Sequence, residues 1–479
     1  MESTKTKMKI TDPYVVWTAF SVLTLVYGLA LAALQSGFEG IVSAFADQWV
    51  IWTGPALLLT DYIAMVGIAP AFVNAGVVGL LSIVVLALAK QPMSGPQMGA
   101  LSLIIGIGFF GKNPANMIPI LIGAWFYALY KREPYKNHVT VALFASTLGP
   151  VVSQPAHTPE IVAVLGGFAP VLGALLGLFM GFVVNSMGAF IRKSHEGLNL
   201  YNIGWGAGLL AVMLTLVYNA LGIADVRLST PSWTIGGSYA TGVLANPYVG
   251  MYGRCGGYYN DVLYIFLFIN LAFFAVFGWL GVRESDQKIN LKELLYMKTE
   301  NNIFYDSHGP GYTYLAMVAL TVLTLAITWP FGVHMNGAIY GAAISMIGWA
   351  GFGKAVFTCV IIMVGILLAA ILRFMLVPGL MLPNLDGISM SFLEFYTTQS
   401  VIWVSAFFAT CLSPMVKYFR WKRGILVGMM HFLLVFGTAD LHWGQHLYNN
   451  GFAAGLVCLV LIPIFRAFDR KGEFPPRAV

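Results

Sequence analysis

The chain has 479 residues, of which 58% are hydrophobic and only 10% charged, with a mean hydropathy of +0.78. A water-facing surface needs roughly a quarter of residues charged, so these values exclude a soluble globular protein and imply an integral membrane protein. The formal net charge of +6 is spread through short loops, which fits membrane topology and excludes a basic nucleic-acid-binding face.

The N-terminus, "MESTKTKMKITDP", is basic and lacks a small-residue cleavage site behind a short apolar core, so the first apolar run reads as a retained helix. Uncharged stretches such as 161–191 and 197–224 exceed the roughly 20 residues that cross a bilayer as helix, and no alternating ten-residue barrel pattern occurs. The expected fold class is therefore an all-α integral membrane protein. Basic clusters fall at Lys5/Lys7/Lys9, Lys131/Arg132/Lys136, Arg192/Lys193, Arg283/Lys288/Lys292/Lys298, Lys417/Arg420/Lys422/Arg423 and Arg466/Arg470/Lys471. Loops that retain such charge stay cytoplasmic. Between them the pattern predicts about 14 crossings, near 14–34, 49–69, 72–89, 114–130, 138–152, 165–190, 201–222, 259–282, 313–332, 335–351, 355–377, 399–415, 424–440 and 447–465. Both termini are then cytoplasmic. The stretch 96–111 is left over and reads as a re-entrant segment, because a full crossing there would put the basic loop 131–136 outside. Cys255, Cys359, Cys411 and Cys458 are scattered with no metal-ligand or disulfide spacing, so no metal site is expected.

The chain is written twice. "HEGLNLYNIGWGAGL" (195–209) returns as "HWGQHLYNNGFAAGL" (442–456), with nine of fifteen positions identical. Shorter strings recur in the same order: "IGIGFFGK" (105–112) with "IGWAGFGK" (347–354), and "FASTLGP" (144–150) with "FATCLSP" (408–414). Asn74/Gly79 are matched with Asn336/Gly341. The offsets of 242, 264, 262 and 247 point to an internal duplication whose halves differ by one insertion, placed between Asn74 and Lys112 at about the length of the re-entrant segment. Equivalent loops carry opposite charge bias. The loop 131–136 is basic where 377–387 is nearly uncharged, and "VVSQPAHTP" is neutral where "MVKYFRWKR" is basic. With seven crossings per half, the second copy enters the membrane upside down, as an inverted-topology repeat. The domain reading is a first repeat over 1–222, an extracytoplasmic connection over 223–258, and a second repeat over 259–479.

The strings "LYNIGWGAGLL" and "LYNNGFAAGLV", with tandem halves along nearly the whole chain, resemble a bacterial family of multi-spanning membrane proteins classed as a domain of unknown function. That resemblance implies a bacterial cytoplasmic-membrane location and no particular activity. More distantly, "VNAGVVGLL" followed by "NPANMIPILIGAWFY" is similar to the repeats of urea transporters, which implies an inverted-repeat channel. The likeness departs at "NPANMIP", which lacks the expected threonine and proline-phenylalanine. A seven-plus-seven transporter of the nucleobase or anion type fits the helix count equally well.

An ionisable group at the centre of a membrane helix costs about 2.5–3.5 kcal/mol, so each one in an apolar run needs a reason. Lys90, Arg373 and Arg466 lie at helix ends, where they snorkel. Lys112 and Lys354 are also terminal, yet each follows a glycine-rich break at matched positions, and both are candidates to bind an anionic or carbonyl group. In the doubled motif the candidates are His195, Tyr201, Asn202 and Gly204, with His442, Tyr448, Asn449 and Gly451. A Gly-flanked Asn at a helix start suits a cap. Alternatively, such helix starts present free N–H groups to a solute in a cavity. Asn74 and Asn336 join this set as a matched pair. His431, Asp440, His442 and His446 form the densest polar group, read either as a solvated loop or as a proton relay. "SQPAHTPE" (153–160) contributes Gln154, His157 and Glu160 and reads as an extended stretch because of its two prolines, either exposed or lining a cavity.

No P-loop, HExxH or GxSxG string occurs. Two classes remain. One is a secondary transporter or channel for a small polar or anionic solute, passing a central site between inverted repeats. The other is a membrane-embedded enzyme using His, Asp and Glu groups on a lipid-borne substrate. Catalysis needs one constellation, whereas here the polar motif is doubled, which favours transport. The implied partners are the lipid bilayer, the solute and a coupling ion, H+ or Na+. No cofactor and no nucleic acid is implied, and a homo-oligomer is left open.

Overall fold

A computed structural model describes residues 9–58, 60–227, 248–297, 304–376 and 399–477. Helices account for most of those residues, and in chain order they are α1 (Pro13–Thr53), α2 (Tyr62–Val66), α3 (Ile68–Leu88), α4 (Gly95–Ile107), α5 (Pro114–Lys131), α6 (Val139–Ala145), α7 (Gly149–Ser153), α8 (Pro159–Leu165) and α9 (Ala169–Ser194). They continue with α10 (Asn202–Ala220), α11 (Tyr248–Glu284), α12 (Leu291–Tyr296), α13 (Phe304–Thr328), α14 (Gly337–Gly348), α15 (Val356–Leu376), α16 (Ser400–Ala409), α17 (Ser413–Leu441) and α18 (Asn449–Ala467). Among the described residues ten helical segments are long and apolar enough to cross a membrane. Large apolar side chains stay exposed on them, among them Trp125, Phe126 and Leu129 on α5 and Leu175 and Phe179 on α9. Such a band is matched by lipid rather than water.

Local signals set the breaks. The Asp12 side chain accepts from the Tyr14 N–H with Pro13 at the first helical position, which starts α1. Gly37, at φ 60°, kinks it. Two helices are too short to cross alone and are buried from end to end: α4, with 13 residues, and α14, with 12. Ser94 and Gln97 form a reciprocal capping box at the start of α4, and Asn336 accepts from the Ile339 N–H at the start of α14. The two cross so closely that a Cβ on Gly106 would lie 2.2 Å from the Gly341 carbonyl oxygen, and one on Gly341 2.1 Å from that of Gly106. Only glycine permits this approach.

The packing partners repeat. Helix α1 lies on α3 as α11 lies on α13, and α5 lies on α9 as α15 lies on α17. The contacts between halves are made by counterparts, α4 on α14 and α10 on α18.

Several expectations change. The predicted crossing at 49–69 is interrupted by non-helical backbone at 54–58 and 60–61, and those at 138–152 and 335–351 are a broken helix and a short buried one. The segment 96–111 is not extra to the first half, since α14 is its counterpart at the same offset of 242 that relates Lys112 to Lys354. It follows that Asn74 and Asn336 are not equivalent: Asn74 lies inside α3, whereas Asn336 caps α14. Identity at two positions misled here, because the counterpart of Asn336 at the offset of 242 is Ser94, which starts α4 as Asn336 starts α14. The halves differ instead at two places. The second has 22 more residues between Lys354 and Cys411 than the first has between Lys112 and Thr147. The first has 17 more between Thr147 and Leu200 than the second has between Cys411 and Leu447. That second difference contains "SQPAHTPE", which is not extended. Gln154–His157 is a 3-10 turn and Pro159 opens α8, because proline suits the first turn of a helix.

Candidate functional site

The two copies of the doubled motif meet each other. A Cβ on Gly204 would lie 3.1 Å from the Gly451 Cα, and the Tyr201 and Tyr448 rings are 4.2 Å apart. Trp205 stacks on Phe452 at 5.3 Å. Each of these pairs joins residues 247 apart, so a residue touches its own counterpart, as happens only on an axis relating the copies.

Each copy is braced in the same way. The His195 Nε2–H donates to Asn202 Oδ1 (2.9 Å), and Asn202 Nδ2 donates back to the Gly188 carbonyl of α9 (3.1 Å). In the second copy His442 Nε2–H donates to Asn449 Oδ1 (3.0 Å), and Asn449 Nδ2 to the Val435 carbonyl of α17 (3.0 Å). The asparagines therefore do not cap α10 and α18, which carry no side-chain cap. They staple each helix start to the preceding helix. The cap reading is corrected because the histidine occupies the oxygen that a cap would use.

Backbone bonds exchange between halves. The Leu200 N–H donates to the Cys411 carbonyl (3.0 Å) and the Leu447 N–H to the Thr147 carbonyl (2.9 Å). Both carbonyls belong to the 3-10 breaks that follow α6 and α16. The ends are exchanged too. Arg466, at the close of α18, pairs with Glu196 in the first motif copy, while Arg227, beyond α10, pairs with Asp440 beside the second.

The only Asp, Glu, Lys or Arg side chains among the described residues that are fully buried are Asp61, Lys112 and Lys354, each 0% exposed. Lys112 follows α4, and its Nζ donates to Ser146 Oγ, whose own proton goes to the Leu143 carbonyl. Lys354 follows α14, and its Nζ donates to the Tyr201 hydroxyl (2.6 Å) while lying 4.6 Å from the Tyr201 ring centre and 5.7 Å from that of Trp349. Neither amine forms an ion pair among the described residues. Asp61 Oδ1 accepts from the Ile63 and Ala64 N–H groups, and Oδ2 from the Gly337 N–H at the start of α14 (2.9 Å). One bridge pairs Asp61 with Phe110, so the non-helical stretch before α2 lies against the break after α4. Non-helical backbone at membrane depth is tolerated only when enclosed by protein or lining a cavity.

The remaining candidates divide. Asn74 Nδ2 bonds the Gly108 and Lys112 carbonyls (2.7 and 2.8 Å), which satisfies the broken backbone beside Lys112. Asn336 Nδ2 donates to Ser400 Oγ (2.6 Å). His446 Nε2–H donates to Thr147 Oγ1 (3.2 Å), and His431 Nε2–H to the Asn450 carbonyl (3.2 Å). Gln154 is buried. His157, Glu160 and Asp440 are peripheral: His157 bonds the Thr53 carbonyl, Glu160 the Ala224 N–H, and Asp440 is 48% exposed against Arg227. A His442–Asp440 relay is therefore not formed. Among the described residues no three His, Cys, Asp or Glu side chains gather as a metal site. Sequence reasoning passed over Asp61, Ser146, Thr147 and Trp349. Asp61 had a signal, being the one acid well inside a predicted crossing rather than at its end, whereas the hydroxyls and Trp349 had none.

The family model described as "Protein of unknown function (DUF1576)" matches twice, over residues 41–220 and 288–467. The chain belongs to the DUF1576 family. Both boundaries of the second match lie 247 residues after those of the first, the offset of the doubled motif, so each half of the chain carries one copy of the family's unit. No curated protein and no solved structure matches the chain, and the likeness to urea-transporter repeats is not shown.

Proposed function

We propose that this DUF1576 protein is a secondary transporter or channel that moves a small polar solute through the crossing of its two repeats. The observation that carries the reading is the meeting of each motif copy with its own counterpart, beside two buried amines. Opposed orientation of the repeats is part of the proposal. It is supported by the exchanged ends: α18 runs from the crossing toward Glu196, and α10 runs from the same crossing toward Asp440. With α4 and α14 as re-entrant half-helices, the paired breaks after them bring irregular backbone and polar groups together, which is how inverted-repeat carriers build a site reached alternately from two sides. The basic loops then put both termini on the cytoplasmic side.

Reconstituted protein should take up small polar solutes into liposomes above the protein-free level, and Gly204→Leu or Gly451→Leu should abolish the uptake by wedging the crossing. The reading fails if no member of a set of short carboxylates, nitrate, urea and amino acids enters while labelled lipid is converted to a new product.

A further inference from the structure

We infer that the solute is a small monovalent oxyanion, which serves as the counter-charge that the buried centre lacks. This rests on the transport reading and narrows it. The three fully buried charged side chains comprise two lysines and one aspartate, so with each in its ordinary ionic form the centre carries one positive charge too many. Asp61 supplies the one negative charge in this sum without pairing with either amine, because its oxygens accept from the N–H groups of Ile63, Ala64 and Gly337. Both amines are instead held by hydroxyl groups, Ser146 for Lys112 and Tyr201 for Lys354, which orient an ammonium without neutralising it.

Burying an uncompensated charge is far costlier than burying a hydrogen-bonded neutral group, so a site with one surplus cation selects a ligand bearing one negative charge. A neutral solute leaves the surplus in place, and a dianion inverts it. The starts of α10 and α18, at Asn202 and Asn449, carry no side-chain cap, and an uncapped helix N-terminus favours an anion. The contacts are close: the Tyr201 and Tyr448 rings lie 4.2 Å apart and Trp349 lies 4.6 Å from Tyr201, so the ligand must be small. Formate, nitrate and lactate have the required charge and oxygen acceptors.

The test is calorimetric titration of the detergent-solubilised full chain with formate, nitrate, lactate, succinate and urea, in wild type and in Lys112→Met and Lys354→Met, with Ser146→Ala and Tyr201→Phe as variants that keep both amines. Binding of at least one monovalent anion, absent for urea, at least tenfold weaker for succinate and weakened at least tenfold in each Met variant, is the expected result. Should the Met variants fail to fold, the hydroxyl variants decide, with a three- to tenfold weakening expected in each. Equal binding of urea, tighter binding of succinate, unchanged affinity in the variants or no binding of any monovalent anion would each overturn the inference. Anion binding without flux in liposomes would remove the transport reading alone, and urea flux without anion binding would remove this inference alone.

Discussion

Lys112 and Lys354 occupy the same place in the two halves, one after α4 and the other after α14, yet their surroundings differ. Lys112 meets a serine hydroxyl within its own half, and the neighbouring Thr147 hydroxyl accepts from His446. Lys354 reaches across to Tyr201 of the other half and lies against two aromatic rings. The backbone break was kept by both copies while the side chains around it diverged. Duplication therefore fixed where the amines sit, and later substitution made the two sides unequal: a small, polar niche on one and an aromatic, cation-binding face on the other.

The comparison is broken or sharpened most strongly by topology. Single cysteines placed in 131–136 and in 417–423 should both resist a membrane-impermeant thiol reagent added from outside, an all-or-none outcome. Strong external labelling of either would sink the opposed orientation of the halves. Next in size is the crossing of α4 and α14. Gly106→Val and Gly341→Val should each cost about 3 kcal/mol, the upper part of the range for overpacking, because the new side chain meets a carbonyl oxygen of the other half. Thermal unfolding in detergent reads this, and a large effect of one with none of the other would deny that the two helices meet through both glycines.

The staples should show the inequality directly. Replacing His442 by Ala leaves the fully buried Asn449 oxygen without its donor and should cost about 3 kcal/mol, whereas His195→Ala, whose partner Asn202 keeps some exposure, should cost about 1 kcal/mol. Equal losses would show the second copy to be no more enclosed than the first. The smallest effect is at the periphery. Hydrogen bonds from Arg466 hold the Glu196 carboxyl below the usual range. A lowered carboxylate stabilises fully above the ordinary value of about 4.3 and loses that contribution as pH falls through its folded value. Protease protection of 468–477, which Glu196 helps hold through the Arg477 N–H, should therefore decline in acid below the ordinary carboxylate range. Glu196→Gln should remove the pH dependence at a cost below about 1 kcal/mol. Protection that falls equally in wild type and variant would show that another group holds the tail.

Much of this arrangement was legible in the sequence. Low charge gave the membrane class, and the doubled motif gave the duplication, because nine identities in fifteen positions survive any uncertainty over helix ends. The braces at His195 and Asn202 were named as a site, but their role was not, since whether an Asn oxygen caps a helix or receives a histidine depends on where the previous helix lies. Lys112 and Lys354 were found because a lysine after a glycine break is unusual in an apolar run. Ser146 and Thr147 were not, because a hydroxyl in a membrane helix ordinarily satisfies itself on the preceding turn, as both also do here. The count of crossings was the weakest expectation: hydropathy measures apolar length, and it cannot tell a full crossing from a short helix enclosed by protein, as α4 and α14 are.

The exchanged backbone bonds of Leu200 and Leu447 bear on how such a chain comes to be made. When the first half has been synthesised, the Leu200 N–H has no acceptor and the Thr147 carbonyl no donor, because both partners are still unread on the ribosome. Neither half is a finished object. The first must wait in the bilayer, polar backbone unmatched, until the second threads in and closes both bonds at once. Two separate copies of an ancestral half would have faced the same requirement, met only if they found one another. Joining them in one chain turned a chance encounter between molecules into an intramolecular certainty. Cutting the chain between 228 and 247 should accordingly yield two fragments that are degraded when expressed alone and retained when expressed together.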